Sequence, residues 1–468
     1  MNAYFAAALI VLAILSPGFQ PISGMPALSG VDLVLGLFLL FLFPFYGRRW
    51  PLDRSSLRIR NAFMVMGWLA LVSIALSPVL YGTQLILNDW MILPMLFRYY
   101  LIFRVAQSVR DEKGRGVCIA VAILAFTLSA AVGILQFHNL LGVNSWLTPY
   151  YSVREVVYGL QSGRIVNRIG GTHGDSRRFG FLLVCGLSLL VSVSLTHPKQ
   201  AVKLFARLAA VPVVLALLYT LSRTTALAGV CVLSASFFFL PRKGAMLGRA
   251  MALVFSLGVL GFIVNIALTD QAQEAFQERV LQTDTISFES STHARTRDLK
   301  APFLDALENP AIFLVGRGPA KAAMKTSSHN DFGWYFHRFG LPGLIFYLSI
   351  LIWGLRGAHK RMRRSTNAID SIVFLSSLLI VINWTLFAMA EDIWKDGQIM
   401  AINMFFLGLA YAWSIAANAT AMTRPASSNP SALRSNAPGL RGGPVHRPAP
   451  AHAAVIKTGR DAFVSRIS

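Results

Sequence analysis

Continuous apolar runs alternate with short polar gaps rich in Arg and Lys from the first residues to about residue 417. A helix crosses a hydrocarbon core about 30 Å thick with roughly 20 apolar residues. The pattern predicts such helices at about 3–16, 28–46, 61–80, 85–105, 116–136, 179–195, 204–221, 224–240, 249–268, 340–355, 369–389 and 399–417. The runs are continuous instead of alternating at every second residue, which favours helices over a barrel. The expected fold class is therefore all-α: a polytopic membrane protein with about twelve transmembrane helices.

The polar gaps sort by charge. Arg48, Arg49, Arg54, Arg58 and Arg60 follow the second run, and Arg356, Lys360, Arg361, Arg363 and Arg364 follow the tenth. By the positive-inside rule these gaps face the cytoplasm, and so do both termini. The longer gaps, about 137–178 and 269–336, fall on the opposite, periplasmic side. The second of these is expected to carry short helices: one over 270–282, and one capped by Thr292 that places Leu299, Phe303, Leu304 and Leu307 on one face and stops at Asn309-Pro310. Residues 424–468, rich in Pro, Ser, Ala and Arg without apolar periodicity, are expected to form a disordered basic cytoplasmic tail. The domain division is a transmembrane helical domain at 1–423 and the tail at 424–468.

Composition supports this class and narrows the chemistry. Of 468 residues 55% are hydrophobic and 14% charged, and the mean hydropathy is +0.56, which excludes a soluble globular domain. The net charge of +22 would suggest nucleic acid in a soluble chain, but the basic residues here mark topology, and no nucleic-acid partner is expected. Cys118, Cys185 and Cys231 all lie in apolar runs, so neither a disulfide framework nor a zinc site is indicated. No metal site and no cofactor is expected. Walker loop, His-Glu-x-x-His pair, nucleophile elbow and dinucleotide fingerprint are all lacking from the sequence. Arg98 and Arg104, in or near the fourth run, read either as snorkelling cations or as intramembrane anion contacts.

The segment Ser328–Tyr347, SHNDFGWYFHRFGLPGLIFY, opens polar and enters an apolar helix through Gly340 and Gly343, which are expected to allow close packing there. His329 can take a proton from a hydroxyl. Arginines from several periplasmic segments can pair with phosphate oxygens in bidentate fashion. The first of these loops carries Arg154, Arg164, Arg168, Arg177 and Arg178 against only Glu155 and Asp175, a bias that suits an anionic partner or a plain solvated loop equally. Trp334, Tyr335 and Phe336 read as an interfacial aromatic belt. His337 and His173 read as surface or structural residues.

These residues resemble the bacterial O-antigen ligase and polymerase superfamily. His329-Asn330 followed by Gly340-Leu341-Pro342-Gly343 is similar to that family's signature, and Leu221-Ser222-Arg223-Thr224 resembles its Ser-Arg-Thr/Ser turn. The segment around Arg295, Asn309-Pro310 and Val315-Gly316-Arg317-Gly318-Pro319 resembles its Arg, Asn-Pro and Gly-x-Gly-Pro elements. The resemblance implies a metal-independent glycosyltransferase of the bacterial inner membrane. It would act at the periplasmic face on undecaprenyl-diphosphate-linked glycans, with a glycan or a lipid A core as acceptor. It implies His329 as general base or acceptor-orienting group, with Arg223 and Arg295 binding the diphosphate. Arg317, Arg177 and Arg178 are weaker diphosphate ligands, and Asn330 is a substrate contact. Polymerase, ligase and protein O-glycosylation share this chemistry, with a slight lean to polymerase. A lipid-linked oligosaccharide flippase is the rival from another class.

Overall fold

The computed structural model describes residues 2–16, 29–39, 54–82, 84–147, 157–159, 165–167, 169–239, 300–319, 330–365 and 367–423. The chain divides into a unit over Met1–Thr420 and a second over Ala421–Ser468. The expected tail at 424–468, the span at 249–268, the helix over 270–282 and the second part of the span at 28–46, from residue 40, lie outside the described residues.

The architecture is helical. In order come α1 (Asn2–Leu15), α2 (Gly30–Leu37), α3 (Arg54–Tyr81), a single turn α4 (Leu87–Trp90), α5 (Ile92–Gln107), α6 (Glu112–Phe137) and the short α7 (Val143–Leu147). These are followed by α8 (Ser176–Thr196), α9 (Gln200–Tyr219), α10 (Arg223–Phe239), a helix through residues 300–308, α11 (Ala311–Val315), α12 (Asp331–Met362), α13 (Ala368–Ala388) and α14 (Gly397–Thr423). Among the described residues the exception is a two-stranded antiparallel ribbon, β1 (Val157–Gly159) and β2 (Ile165–Asn167), within the first long polar gap.

The expectation of about twelve spans is corrected by helix length. Among the described residues six helices are long and apolar enough to cross a bilayer: α3, α6, α8, α9, α12 and α13. α1 has 14 residues, about 21 Å of helix, which falls short of the ~30 Å core. The expected fourth span is interrupted at its start by α4 and reduced to α5, 16 residues that include Arg98 and Arg104. α10 and the Gly397–Ala412 part of α14 are apolar but shorter than the six. The chain is a polytopic helical membrane protein.

α8 and α13 form the centre of the bundle, with 78% of each apolar window buried, whereas α3 and α9 are peripheral at 33%. α8 packs on α9 and α13, α12 on α13, and α1 on α6. Arg115 of α6 and Asp370 of α13 form a buried ion pair at 2.7 Å. Trp334, Tyr335 and Phe336, expected as an interfacial belt, are instead buried. Tyr335 stacks on Tyr347 at 4.7 Å and meets Trp394 edge-on at 5.1 Å, so these rings fill the interior.

α12 is two helices joined at a break. Gly340 has φ +67, a left-handed conformation that glycine adopts without penalty. A Cβ there would lie 2.6 Å from the Phe313 carbonyl oxygen, so the sequence-based expectation of close packing is met by backbone against backbone. The break frees helical carbonyls, which cannot be left unpaired in a membrane. The Arg317 amide donates to the His337 carbonyl at 2.8 Å and the Gly318 amide to that of Arg338 at 3.0 Å. From α3, the Ser73 hydroxyl reaches the Arg338 carbonyl at 2.9 Å, and the Ser77 hydroxyl donates to the Arg317 carbonyl at 2.8 Å. The Gly316–Pro319 segment thus closes the gap that Gly340 opens. After the break about 33 Å of helix remains, enough to span.

Candidate functional site

His329 and Arg295 lie outside the described residues, as do Lys321, Lys325, Arg154, Arg164 and Arg168. Asn330 is the N-cap of α12: its side-chain oxygen accepts from the Gly333 amide at 2.6 Å, and the residue is buried. Asp331, fully buried, accepts from the Tyr347 hydroxyl at 2.8 Å through one oxygen and from the Trp394 amide at 3.1 Å through the other. The Trp394 carbonyl in turn accepts from the Tyr99 hydroxyl at 2.7 Å. The position of His329 in the chain is therefore next to a helix start pinned to α5 and to the segment between α13 and α14.

Arg223 is the first residue of α10, half-buried. The turn before it puts Leu221 at φ +48, a conformation that costs a γ-branched side chain energy and fixes the entry of the helix. The Ser222 hydroxyl accepts from the Thr225 amide at 3.4 Å. Gly180, one turn into α8, lies directly against Thr225: a Cβ on it would fall 2.1 Å from the threonine hydroxyl. The starts of α8 and α10 are thus side by side.

Arg177 and Arg178, expected in a loop, sit instead in the first turn of α8, where Asp175 caps both of their amides. Arg177 pairs with Glu391 at 2.5 Å and Arg178 with Asp396 at 3.3 Å. The same short segment therefore binds α8 through its carboxylates and α12 through Trp394. Asn383 near the end of α13 donates to the Phe181 carbonyl at 3.2 Å, and Phe181 and Phe387 meet edge-on at 5.1 Å. The starts of α8, α10 and α12 converge at one end of the bundle with the end of α13. Helix N-termini carry partial positive charge, and at this end they meet the carboxylates of Asp175, Asp331, Glu391 and Asp396.

Arg317, expected as a weaker diphosphate ligand, has its guanidinium taken up by Asp305 in a two-pronged ion pair that uses Nε and Nη2. It also lies 5.2 Å from the centre of the Tyr81 ring. His337 Nε2 meets Asp305 Oδ2 at 2.8 Å, and the imidazole is buried. Burial alone would raise the Asp305 carboxyl, but hydrogen bonds from Arg317 and His337 outweigh it and hold its pKa below the ordinary carboxylate value. Its partner Arg317 is held above the usual guanidinium range by the same hydrogen bond. This cluster locks the helix through 300–308 onto the broken helix, a structural reading for His337. Phe303, Leu304 and Leu307, expected together on one apolar face, are exposed, while Ala306 faces inward.

His173 is buried in a turn behind the start of α8, its Nδ1 3.2 Å from the Thr172 hydroxyl. Burial pushes its pKa down to about 4, so it is neutral at physiological pH. Asp331, Trp394, Glu391 and Asp396 carry much of the geometry and were not anticipated from the sequence. The one available signal was the acidic cluster between the last two apolar runs. Among the described residues no group of three or more His, Cys, Asp or Glu is placed to hold a metal ion. Compared with protein-family models and with curated proteins, the chain gives no match to either.

Proposed function

We propose that the protein is a metal-independent glycosyltransferase of the bacterial inner membrane that transfers or polymerises undecaprenyl-diphosphate-linked oligosaccharide at the periplasmic face. The observation that carries this reading is the convergence of the starts of α8, α10 and α12, which brings Arg177, Arg178, Arg223 and Asn330 to one end of the bundle. His329 precedes Asn330 directly and is the base that takes the proton of an acceptor hydroxyl. Arg223, with Arg295, binds the diphosphate and offsets its charge as it leaves. Arg177 and Arg178 add positive field there but share it with Glu391 and Asp396, and Arg317 serves the fold. Basic clusters on the other side of the membrane, with both termini, complete the orientation.

The test is transfer of a defined lipid-linked glycan by the purified full chain in proteoliposomes. His329→Ala should abolish product, and Arg223→Lys should reduce it at least tenfold because an ammonium cannot reproduce the guanidinium fork. Unchanged transfer in His329→Ala overturns the base assignment. Donor that changes leaflets without any glycan transfer would make the protein a flippase.

A further inference from the structure

A cavity of about 310 Å³ runs between α3 and α5, floored by Phe63 and Leu96 and rimmed by Met64, Trp68 and Phe97, whose side chains are largely exposed. Among the described residues only a third of the apolar window of α3 is buried, which leaves this face open to lipid. Gly67 gives the groove its depth: a Cβ there would meet no atom within 4 Å. The helices run antiparallel along it. Phe63 and Tyr100 are 5.8 Å apart at one end, and Leu71 and Leu93 line the other.

Its polar groups gather at the first end. Arg60 lies close enough to Tyr100 for its charge to reach the phenol. The Arg60 Nε and Nη2 donate to the neutral Asn61 side chain at 3.3 and 3.1 Å, and among the described residues no carboxylate pairs with this guanidinium. Arg104 lies near enough to feel the charge of Arg60, so two basic side chains stand at this end. Along α3 the distance from Arg60 to Leu71 is about 16 Å, roughly half of the ~30 Å hydrocarbon core. A groove one leaflet deep, apolar along most of its length and cationic at its interfacial end, is complementary to a single acyl chain beneath an anionic headgroup.

We propose that this groove binds an anionic phospholipid, with one acyl chain between α3 and α5 and its phosphate on Arg60 and the Tyr100 hydroxyl. The other end of α3, at Ser77 and Tyr81, is the end that touches Arg317. The bound lipid therefore sits in the leaflet away from the candidate site and is distinct from a lipid-linked donor. This inference does not depend on the proposed activity.

The experiment is native mass spectrometry of the full chain taken from equal mixtures of phosphatidylglycerol and phosphatidylcholine. Wild type should retain phosphatidylglycerol with roughly fivefold preference, the change expected of one basic side chain near an anionic headgroup. Arg60→Gln should bring the preference near unity, and Gly67→Leu, which fills open space with a good helix former, should reduce retention of both lipids. As a check that needs no groove-filling variant, acyl-brominated phosphatidylglycerol should quench the fluorescence lost in Trp68→Phe more than brominated phosphatidylcholine does. Equal retention of the two lipids by wild type, undiminished retention in Gly67→Leu, equal quenching, or a co-purified prenyl phosphate displaced by Gly67→Leu would each overturn the proposal.

Discussion

The amide of Arg317 donates to the carbonyl of His337 at 2.8 Å, so the short segment around it completes the hydrogen bonding of a helix broken within the membrane domain. Gly316 and Gly340, both at positive φ, make the approach possible. A Cβ on Gly316 would fall 2.2 Å from the Arg338 carbonyl carbon, where no side-chain rotation relieves the overlap. Gly316→Ala and Gly340→Ala should each lower stability by more than the ~1–3 kcal/mol of backbone strain alone. Gly116→Ala in α6, where an added Cβ meets nothing, should raise stability by about 0.5–1 kcal/mol. Thermal unfolding in detergent compares the three, and equal midpoints would show that the close approach is not needed.

The Asp305 carboxylate holds Arg317 and His337 together, and removing its charge strands a buried guanidinium. Asp305→Asn should cost about 3 kcal/mol, and a double-mutant cycle with Arg317→Gln should show coupling instead of additivity. Because the folded carboxyl titrates below its unfolded value, this stability is fully present above pH about 4 and is lost as pH falls through the folded pKa. Acid unfolding of Asp305→Asn should accordingly show a weaker pH dependence below pH 4 than wild type.

His173 behaves with the same sign for a different reason. Its burial favours the neutral ring, so the unfolded chain binds the proton more readily between pH about 6.5 and about 4. Stability from this group is complete above the unfolded pKa and declines across that window, by on the order of 3 kcal/mol in all. His173→Gln should flatten the unfolding midpoint between pH 6.5 and 4 while leaving the steeper acid limb.

Arg177 and Glu391 form a partly exposed pair, and either single substitution to Ala should cost no more than about 1 kcal/mol. Exchanging the charges, Arg177→Glu with Glu391→Arg, should restore most of that loss in urea unfolding. Failure to recover it would mean that the surrounding field at the start of α8 outweighs the pair.

Apolar periodicity made the central helices legible. The expected span at 369–389 is α13 (Ala368–Ala388), and that at 179–195 is α8 (Ser176–Thr196). Uninterrupted apolar runs leave the backbone no other way to satisfy its hydrogen bonds in lipid. The pattern misled where polarity and apolarity mix: α5 carries Arg98 and Arg104 in a run that looked long enough to span, and Trp334–Phe336 resembled a surface belt while filling the core. The pairing of Asp305 with Arg317 was not legible, because both belong to a polar stretch whose burial depends on the return of α12 past it. Asp331 escaped notice because its partners, Tyr347 and Trp394, lie in apolar surroundings that give no hint of a buried carboxyl.

The peptide unit of Trp394 has its amide on Asp331 and its carbonyl on Tyr99, and this sets the order in which the molecule can be completed. Helices emerging from the ribosome enter the membrane from the N-terminal side. Until residue 394 has been made, Asp331 has only the Tyr347 hydroxyl of these two donors, and the Tyr99 hydroxyl lacks its acceptor. The end of the bundle beside Asn330 is therefore finished only after α1 to α13 have been made, when residue 394 brings its amide to Asp331 and its carbonyl to Tyr99.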